Sequence, residues 1–239
     1  MTLSEVAKIT DLNPAVARRC LITLSALGYI GKEGSFFMLR PAVLELSTPF
    51  IESFNIDNVI RPPLQKLRDE TGDSASFAVL MGGDVLYITH VSTYRVIRLQ
   101  ATTGTRFPAL VTSLGRAILS ALPEQKIIAF ISEHPITATT QKTIVDPVAL
   151  ENEINIARTR GFSLVSDELD YGVTSIACPV CVPGYGIVGA INSSASTGSV
   201  ALDTFASSRL PALLAVRDQL VEELSGSPDL IHVIRSATN

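Results

Sequence analysis

No run of about eighteen or more apolar residues occurs in the chain, so nothing has the length of a membrane-spanning helix. No basic, apolar, small-residue succession opens it as a secretory signal would. The expected location is the cytoplasm, with no membrane partner. An excess of positive charge is also lacking: 19 basic against 23 acidic side chains give a formal −4, which excludes a uniformly basic coat for nucleic acid but leaves room for a local one. Residues 1–50 hold five basic and four acidic side chains, so the deficit lies in the remainder. Cysteine is scarce and odd in number, three in all, which fits a reducing compartment better than a disulfide scaffold. Cys178 and Cys181 have the spacing of a redox pair or half a zinc site. No second pair or neighbouring histidine completes a metal set, and the surroundings read as strand, so no metal is expected. Cys20 is most simply a buried helix residue. A catalytic set is missing too. His90, His134 and His232 fall in a strand, a proline-flanked loop and a polar tail, none beside a nucleophile motif, and read as structural or solvated. Neither an enzyme nor a cofactor is expected.

With 46% hydrophobic and 18% charged residues, the 239-residue chain suits one large or two ordinary globular domains. Its most informative stretch is TDLNPAVARRCLITLSALG, Thr10 to Gly28. Asn13 is a good N-cap, Pro14 suits the first helical position, and Gly28 stands where a helix end wants positive φ. Val16, Cys20, Leu21, Leu24 and Leu27 follow three-four spacing and are expected to face inward, with Ala15, Arg18 and Arg19 outward. Before it, Thr2 with Glu5 makes a capping box and Leu3, Val6, Ala7 and Ile9 give a short helix an apolar side. Two helices around the turn at Asp11-Leu12 make a helix-turn-helix, whose second helix meets base edges and phosphates. Tyr29-Ile30, a turn over residues 31–35 and Phe36–Leu39 add two short strands, a wing whose tip carries Lys32 toward a phosphate.

The run from TLSEVAKITDLNPAVARRCLITLSALGYI through FFMLRPAVLEL resembles the DNA-binding domain of the IclR family of bacterial transcriptional regulators. That family carries a further helix ahead of this point, so the winged module is expected to lack its first helix. Operator DNA is the partner implied, with Asn13, Ala15, Val16, Arg18, Arg19 and Lys32 as its candidate contacts. A short helix and a connector helix are expected in residues 41–58, with Leu44, Leu46, Phe50, Ile51 and Phe54 as apolar anchors. The division is thus 1–40 winged domain, 41–58 connector and 59–239 effector domain.

Beyond the connector a helix over Val59–Thr71 ends at Gly72, and Ser76–Met81 with Val85–Val91 around Gly82-Gly83-Asp84 reads as a β-hairpin. A further strand is expected over Val96–Ala101. Helices are expected from about Ser113 to Leu122, after Pro123 through Ile131 and from Pro147 to Arg160, the last capped by Asp146. Strands follow over Phe162–Val165, Ser175–Val182 and Ile187–Ser193, then a helix over Leu202–Leu224, interrupted or kinked at Pro211. Hairpins with flanking helices point to an α+β domain with an antiparallel sheet. The segments GDVLYITHV, GTRFPALVTSLGRAILSALP, TIVDPVALENEINIARTRGFSLVSDEL, YGVTSIACPV and GIVGAINSS resemble the GAF/PAS-like effector domain of the same family. ARRCLITL, GTRFPA and SLGR look most like the branch controlling aromatic-acid catabolism. The resemblance implies a homodimer, or a tetramer, that answers to a small organic acid.

Thr112-Ser113-Leu114-Gly115-Arg116 opens a helix, where free amides and the dipole favour an anion. Arg116, with Arg106, is a candidate for bidentate pairing to a carboxylate, the plain alternative being an N-cap beside surface arginines. The resemblance adds a site. Members that bind small keto acids use a glycine at the helix opening, an aspartate, a cysteine and two serines on the last strand, positions matched here by Ser113, Val165, Ser175, Asn192 and Ser194. Losing the acidic residue for an apolar one suits a larger, flatter ligand, a benzoate-like or ketoadipate-like acid. Tyr171 and Tyr94 are weaker lining candidates. Asp167, Glu168 and Asp170 form either a solvated acidic loop or a site for a cation or a ligand's polar edge. Gly184–Gly189 spells a dinucleotide fingerprint, but a β-branched strand follows where a helix is required, so a hairpin turn is expected. The alternative for the whole chain is a small-molecule sensor or dimerisation module that does not bind DNA in this form.

Overall fold

The structure, a computed structural model, describes residues 1–46, 55–93, 101–196, 198 and 201–236. The chain divides into two compact units, Met1–Phe54 and Asn55–Asn239.

In the first unit, α1 (Leu3–Thr10) starts from the expected capping box: Thr2 Oγ1 accepts from the Glu5 amide and Glu5 Oε2 accepts from the Thr2 amide at 2.7 Å. Those hydrogen bonds hold the Glu5 carboxyl below its ordinary pKa. Asp11, in the left-handed region at φ 52°, stops α1 and makes the turn into α2 (Pro14–Ala26), whose N-cap Asn13 accepts from the Ala15 amide at 2.9 Å. Gly28 takes φ 83° just beyond α2, a conformation glycine adopts without strain. The buried face of α2 differs from the expected one: Ala17 and Leu21 are buried, whereas Cys20, Leu24 and Leu27 are exposed and Val16 is half-buried. Small Ala7 and Ala17 are the buried residues of the two helices besides Leu21. The buried face is thus turned by one residue from the expected one, onto small side chains that let the two helices approach. The wing is β1 (Ile30–Glu33) paired antiparallel with β2 (Phe36–Leu39), so the turn is tighter than expected, with Gly34 at φ 58°. Lys32 therefore lies in β1, its ammonium 5.7 Å from the Phe37 ring centroid, and not at the tip. A 3-10 turn, Pro41–Leu46, follows, with Leu44 and Leu46 exposed. Phe50, Ile51 and Phe54 lie outside the described residues.

The second unit begins with α3 (Ile56–Val59) and α4 (Arg61–Thr71), which ends at Gly72 with φ 71°. Six strands form one sheet in the order β5-β4-β3-β8-β7-β6, every neighbouring pair antiparallel. They are β3 (Ser74–Met81), β4 (Asp84–Val91), β5 (Arg106–Pro108), β6 (Ser163–Ser166), β7 (Val173–Val182) and β8 (Gly186–Ser196). Gly82-Gly83 turns β3 into β4, and Pro183–Tyr185 turns β7 into β8, so Gly184–Gly189 is a hairpin and the start of a strand. The strand expected over residues 96–101 lies, up to residue 100, outside the described residues, and Ala101 is not in a strand. The short β5 has no counterpart among the strands expected from the sequence.

α5 (Ser113–Ser120), α6 (Glu124–Glu133) and α7 (Pro147–Arg160, capped by Asp146) follow the strand hairpin. α5 packs on one face of the sheet through Leu114, Ala117 and Ile118, against Ala78, Tyr87, Ala177 and Ala190. Alanine across three strands lets the helix approach closely, and Gly115 meets the Ala109 carbonyl so tightly that a Cβ there would stand 2.1 Å from the oxygen. α4 and α8 (Leu202–Ser225) cover the opposite face. α8 runs through Pro211 without interruption. α9 (Pro228–Ser236), expected as polar tail, is a helix burying Leu230, Ile231 and Ile234. Among the described residues no helix is long and apolar enough to cross a membrane.

Candidate functional site

In the first unit the candidate DNA contacts other than Lys32 lie on the N-cap and first two turns of α2. Asn13, Ala15, Arg18 and Arg19 are exposed, Val16 is half-buried, and Lys32 stands on β1 beside Phe37. Arg18 and Arg19 are adjacent on a helix and so point about 100° apart.

In the second unit a small cavity opens at the N-terminus of α5. Its walls are Val111, Thr112 and Ser113 from the helix start, Tyr87 from β4, Val165 from β6, Val173 and Ser175 from β7, Asn192 and Ser194 from β8, and Leu169 from the loop before β7. The volume, about 30 Å³, is room for about one or two water molecules. Cross-strand pairing explains the set: Ser194 stands opposite Ser175, and Ser175 opposite Val165, so these side chains share one face. Asn192 stands opposite both Ala177 and Ser76, on the face that α5 covers.

The donors and acceptors of the cavity are specific. Thr112 caps α5 by accepting from the Gly115 amide at 3.1 Å, which leaves the amides of Ser113 and Leu114 as the open donors of the helix start. Ser113 Oγ and Ser175 Oγ are hydrogen-bonded at 2.7 Å. Asn192 is 3% exposed, and its Oδ1 has no hydrogen-bond partner among the described residues. Thr89 Oγ1 shares that state, but Thr89 pairs with Phe77, one step along from the Ser76–His90 pair and hence on the other face. Burial raises the Tyr87 hydroxyl well above its ordinary pKa, and the ring meets Phe107 edge-on with centroids 5.6 Å apart.

Neither arginine expected to hold a carboxylate reaches this cavity. Arg116, 1% exposed, donates from Nη1 and Nη2 to the two carboxylate oxygens of Glu168 at 2.7 and 2.6 Å, and from Nε to the Leu110 carbonyl at 2.8 Å. A buried guanidinium must have its charge and its donors satisfied within the protein, and Glu168 does this. Arg106 is exposed, bonded to the Met81 carbonyl and to Asp84 at 3.1 Å. Leu114 and Gly115 are buried in helix packing and do not line the cavity. Thr112, Ser113, Ser175, Asn192 and Ser194 do line it, together with Val165. Sequence reasoning missed Tyr87, Val111, Leu169 and Val173.

The acidic cluster is no solvated loop. Asp167 and Glu168 are buried, Asp167 paired with Lys142 Nζ at 2.6 Å and accepting from the Gly172 amide at 2.8 Å. Tyr171, exposed, accepts from the Gln141 amide and lies off the cavity, and Tyr94 is outside the described residues. Cys20 and Cys181 are exposed, while Cys178 is buried, its thiol pushed up to about 12 by desolvation. Among the described residues no cluster of His, Cys, Asp or Glu is arranged to hold a metal. His90 Nδ1 meets Ser76 Oγ at 2.9 Å, His134 Nδ1 meets the Phe130 carbonyl at 3.0 Å, and His232 packs edge-on against Tyr185. Two larger hollows, of about 390 and 360 Å³, hold none of the expected effector residues.

A helix-turn-helix with a wing, followed by an antiparallel sensor domain with a small polar cavity, defines a ligand-responsive transcriptional regulator. Residues 48–220 match the family described as bacterial transcriptional regulator IclR C-terminal, and the chain belongs to the IclR family. It is 32% identical over 227 residues to the Pca regulon regulatory protein of Pseudomonas putida, covering 95% of this chain and 78% of that one. The crystal structure of a transcriptional regulator from Rhodococcus sp. RHA1 matches with a TM-score of 0.77 at 34% identity, covering 95% of this chain and 91% of that one. An IclR homologue from Microbacterium hydrocarbonoxydans, complexed with 4-hydroxybenzoate, shares the fold with a TM-score of 0.75 at 18% identity, covering 95% and 92%.

Proposed function

We propose that this chain regulates a catabolic operon from the cytoplasm as a homodimer, with an aromatic or ketoadipate-like carboxylic acid as its effector. Residues 1–40 bind the operator, 41–58 connect, and 59–239 bind the acid. The observation that carries the reading is the pairing of unlike polar groups in one small cavity: the open Ser113 amide at the start of α5, and the unpartnered Asn192 Oδ1. Helix-start amides favour a carboxylate. A buried acceptor without a partner costs about 1–3 kcal/mol, which a ligand hydroxyl or protonated acid group donating to it relieves. The valine, leucine and tyrosine walls suit a flat ring, and the 4-hydroxybenzoate complex of the Microbacterium homologue supports an aromatic acid in this fold. Arg18 and Arg19 meet base edges or phosphates, with Asn13, Ala15, Val16 and Lys32 beside them. The acid binds two conformations unequally and thereby changes operator affinity.

The test is a mobility-shift series at one fixed salt concentration, on duplexes selected by the protein from random sequence. Arg18→Ala with Arg19→Ala abolishes specific binding and leaves carboxylate binding intact. Undiminished binding by the double variant overturns the assignment.

A further inference from the structure

The cavity walls are almost all fixed by regular structure. Val111 belongs to a 3-10 turn and Ser113 to α5, and the strand residues are held in the hydrogen-bonded ladder of the sheet. Thr112, between turn and helix, has its hydroxyl committed to capping α5. Leu169 is the remaining lining residue outside helix and strand, half-buried on the loop Asp167–Gly172. A cavity of about 30 Å³ is far smaller than a benzoate ring, so admitting one requires a wall to yield. Displacing strands or the helix start breaks their backbone hydrogen bonds, whereas the amide and carbonyl of Leu169 itself make no backbone hydrogen bond among the described residues.

This loop is closed and fastened. Both its ends are left-handed, Asp167 at φ 59° and Gly172 at φ 90°. A non-glycine residue there is uncommon and persists where its surroundings fix it. The neck is closed by the Asp167 amide donating to the Val173 carbonyl at 2.8 Å and the Gly172 amide donating to Asp167 Oδ1 at 2.8 Å. Glu168, one residue before Leu169, is gripped by Arg116 through both oxygens. Its carbonyl accepts from the hydroxyls of Thr139 and Thr143 at 2.8 and 2.7 Å. Residues that do not line the cavity thus hold the two positions before Leu169: Thr139, Thr143 and Arg116 hold Glu168, and Thr140 and Lys142 hold Asp167.

We propose that the Asp167–Gly172 loop is a fastened cover over the effector cavity and that Leu169 sets the size of the acid admitted, with Arg116 and Glu168 as positioning residues. The inference rests on the effector reading of the cavity. Titration calorimetry of the full chain with benzoate and with 2-naphthoate separates the two claims. Leu169→Ala shortens a half-buried loop side chain without touching its fastenings, and raises the affinity ratio of 2-naphthoate to benzoate by about tenfold, equivalent to about 1.4 kcal/mol. Glu168→Gln, which keeps the shape but weakens the grip of Arg116, shifts the ratio in the same direction. Ser113→Val takes up the space beside the helix-start amide and removes binding of both acids. An unchanged ratio in Leu169→Ala, with binding lost in Ser113→Val, overturns the cover while the cavity stands. Benzoate binding retained in Ser113→Val, or no binding of either acid to the wild-type chain, overturns both.

Discussion

Among the described residues of the first unit, the buried apolar side chains are Ala7, Ala17, Leu21 and Ile30, while Ile9, Ile22, Leu27 and Leu39 are each more than half exposed. In the second unit whole runs of β3, β7 and β8 are buried, and even an arginine is 1% exposed. The first unit takes its order from local chemistry: a capping box, an asparagine cap with proline behind it, a left-handed aspartate at the turn and a glycine at the helix end. The second takes its order from partners far apart in sequence, as in Arg116 with Glu168 and Asp73 with both Ser193 and Arg209. The surface proposed to read DNA is therefore governed by backbone geometry, the proposed effector cavity by desolvation and long-range pairing. Substitutions should act differently on the two.

The largest effect falls on the buried pair. Glu168→Ala leaves the Arg116 guanidinium without a counter-charge and is expected to cost the second unit about 3–5 kcal/mol in chemical denaturation. Asp218→Ala, which removes a surface partner of Arg217, is expected to cost under about 1 kcal/mol, and similar losses in the two variants would break the contrast. Next comes the cap. Asn13→Ala is expected to cost α2 about 1 kcal/mol and Asn13→Gly only a few tenths, read as earlier amide exchange in the first unit with the second unchanged.

The smallest effect is on pH dependence. Desolvation, with Arg61 nearby, lowers the His90 pKa below its ordinary 6.5, so the native state prefers the neutral ring. The associated stability is fully present above about pH 6.5 and is lost as pH falls through the lower native value. His90→Gln should flatten the stability profile of the second unit in that window, and an unchanged acid limb would assign the dependence to other groups.

Local signals made much of this legible. The caps at Thr2, Asn13 and Asp146, and the glycine turns at Gly82-Gly83 and Gly184, are read from a few adjacent residues, and the helices and hairpins they bound are present. Which way α2 faces was not legible, because apolar spacing allows either Val16 or Ala17 as the inward residue and tertiary packing makes the choice. The same holds for Arg116. Its sequence neighbours suggest an anion site, and only the fold brings Glu168, 52 positions away, into its grip. Ser175, Asn192 and Ser194 were found by resemblance, whereas Leu169 sits in a loop with no periodicity to mark it. The final helix also carries a local signal, since Ser227 followed by Pro228 is a helix start.

The most direct test is operator affinity measured with and without a saturating aromatic carboxylate, at one fixed salt concentration, for the wild-type chain and for Ser113→Val. The account predicts a shift of about 5- to 150-fold in the wild type and none in the variant, whose affinity for bare operator is unchanged. An equal shift in both, or no shift in the wild type, would contradict it.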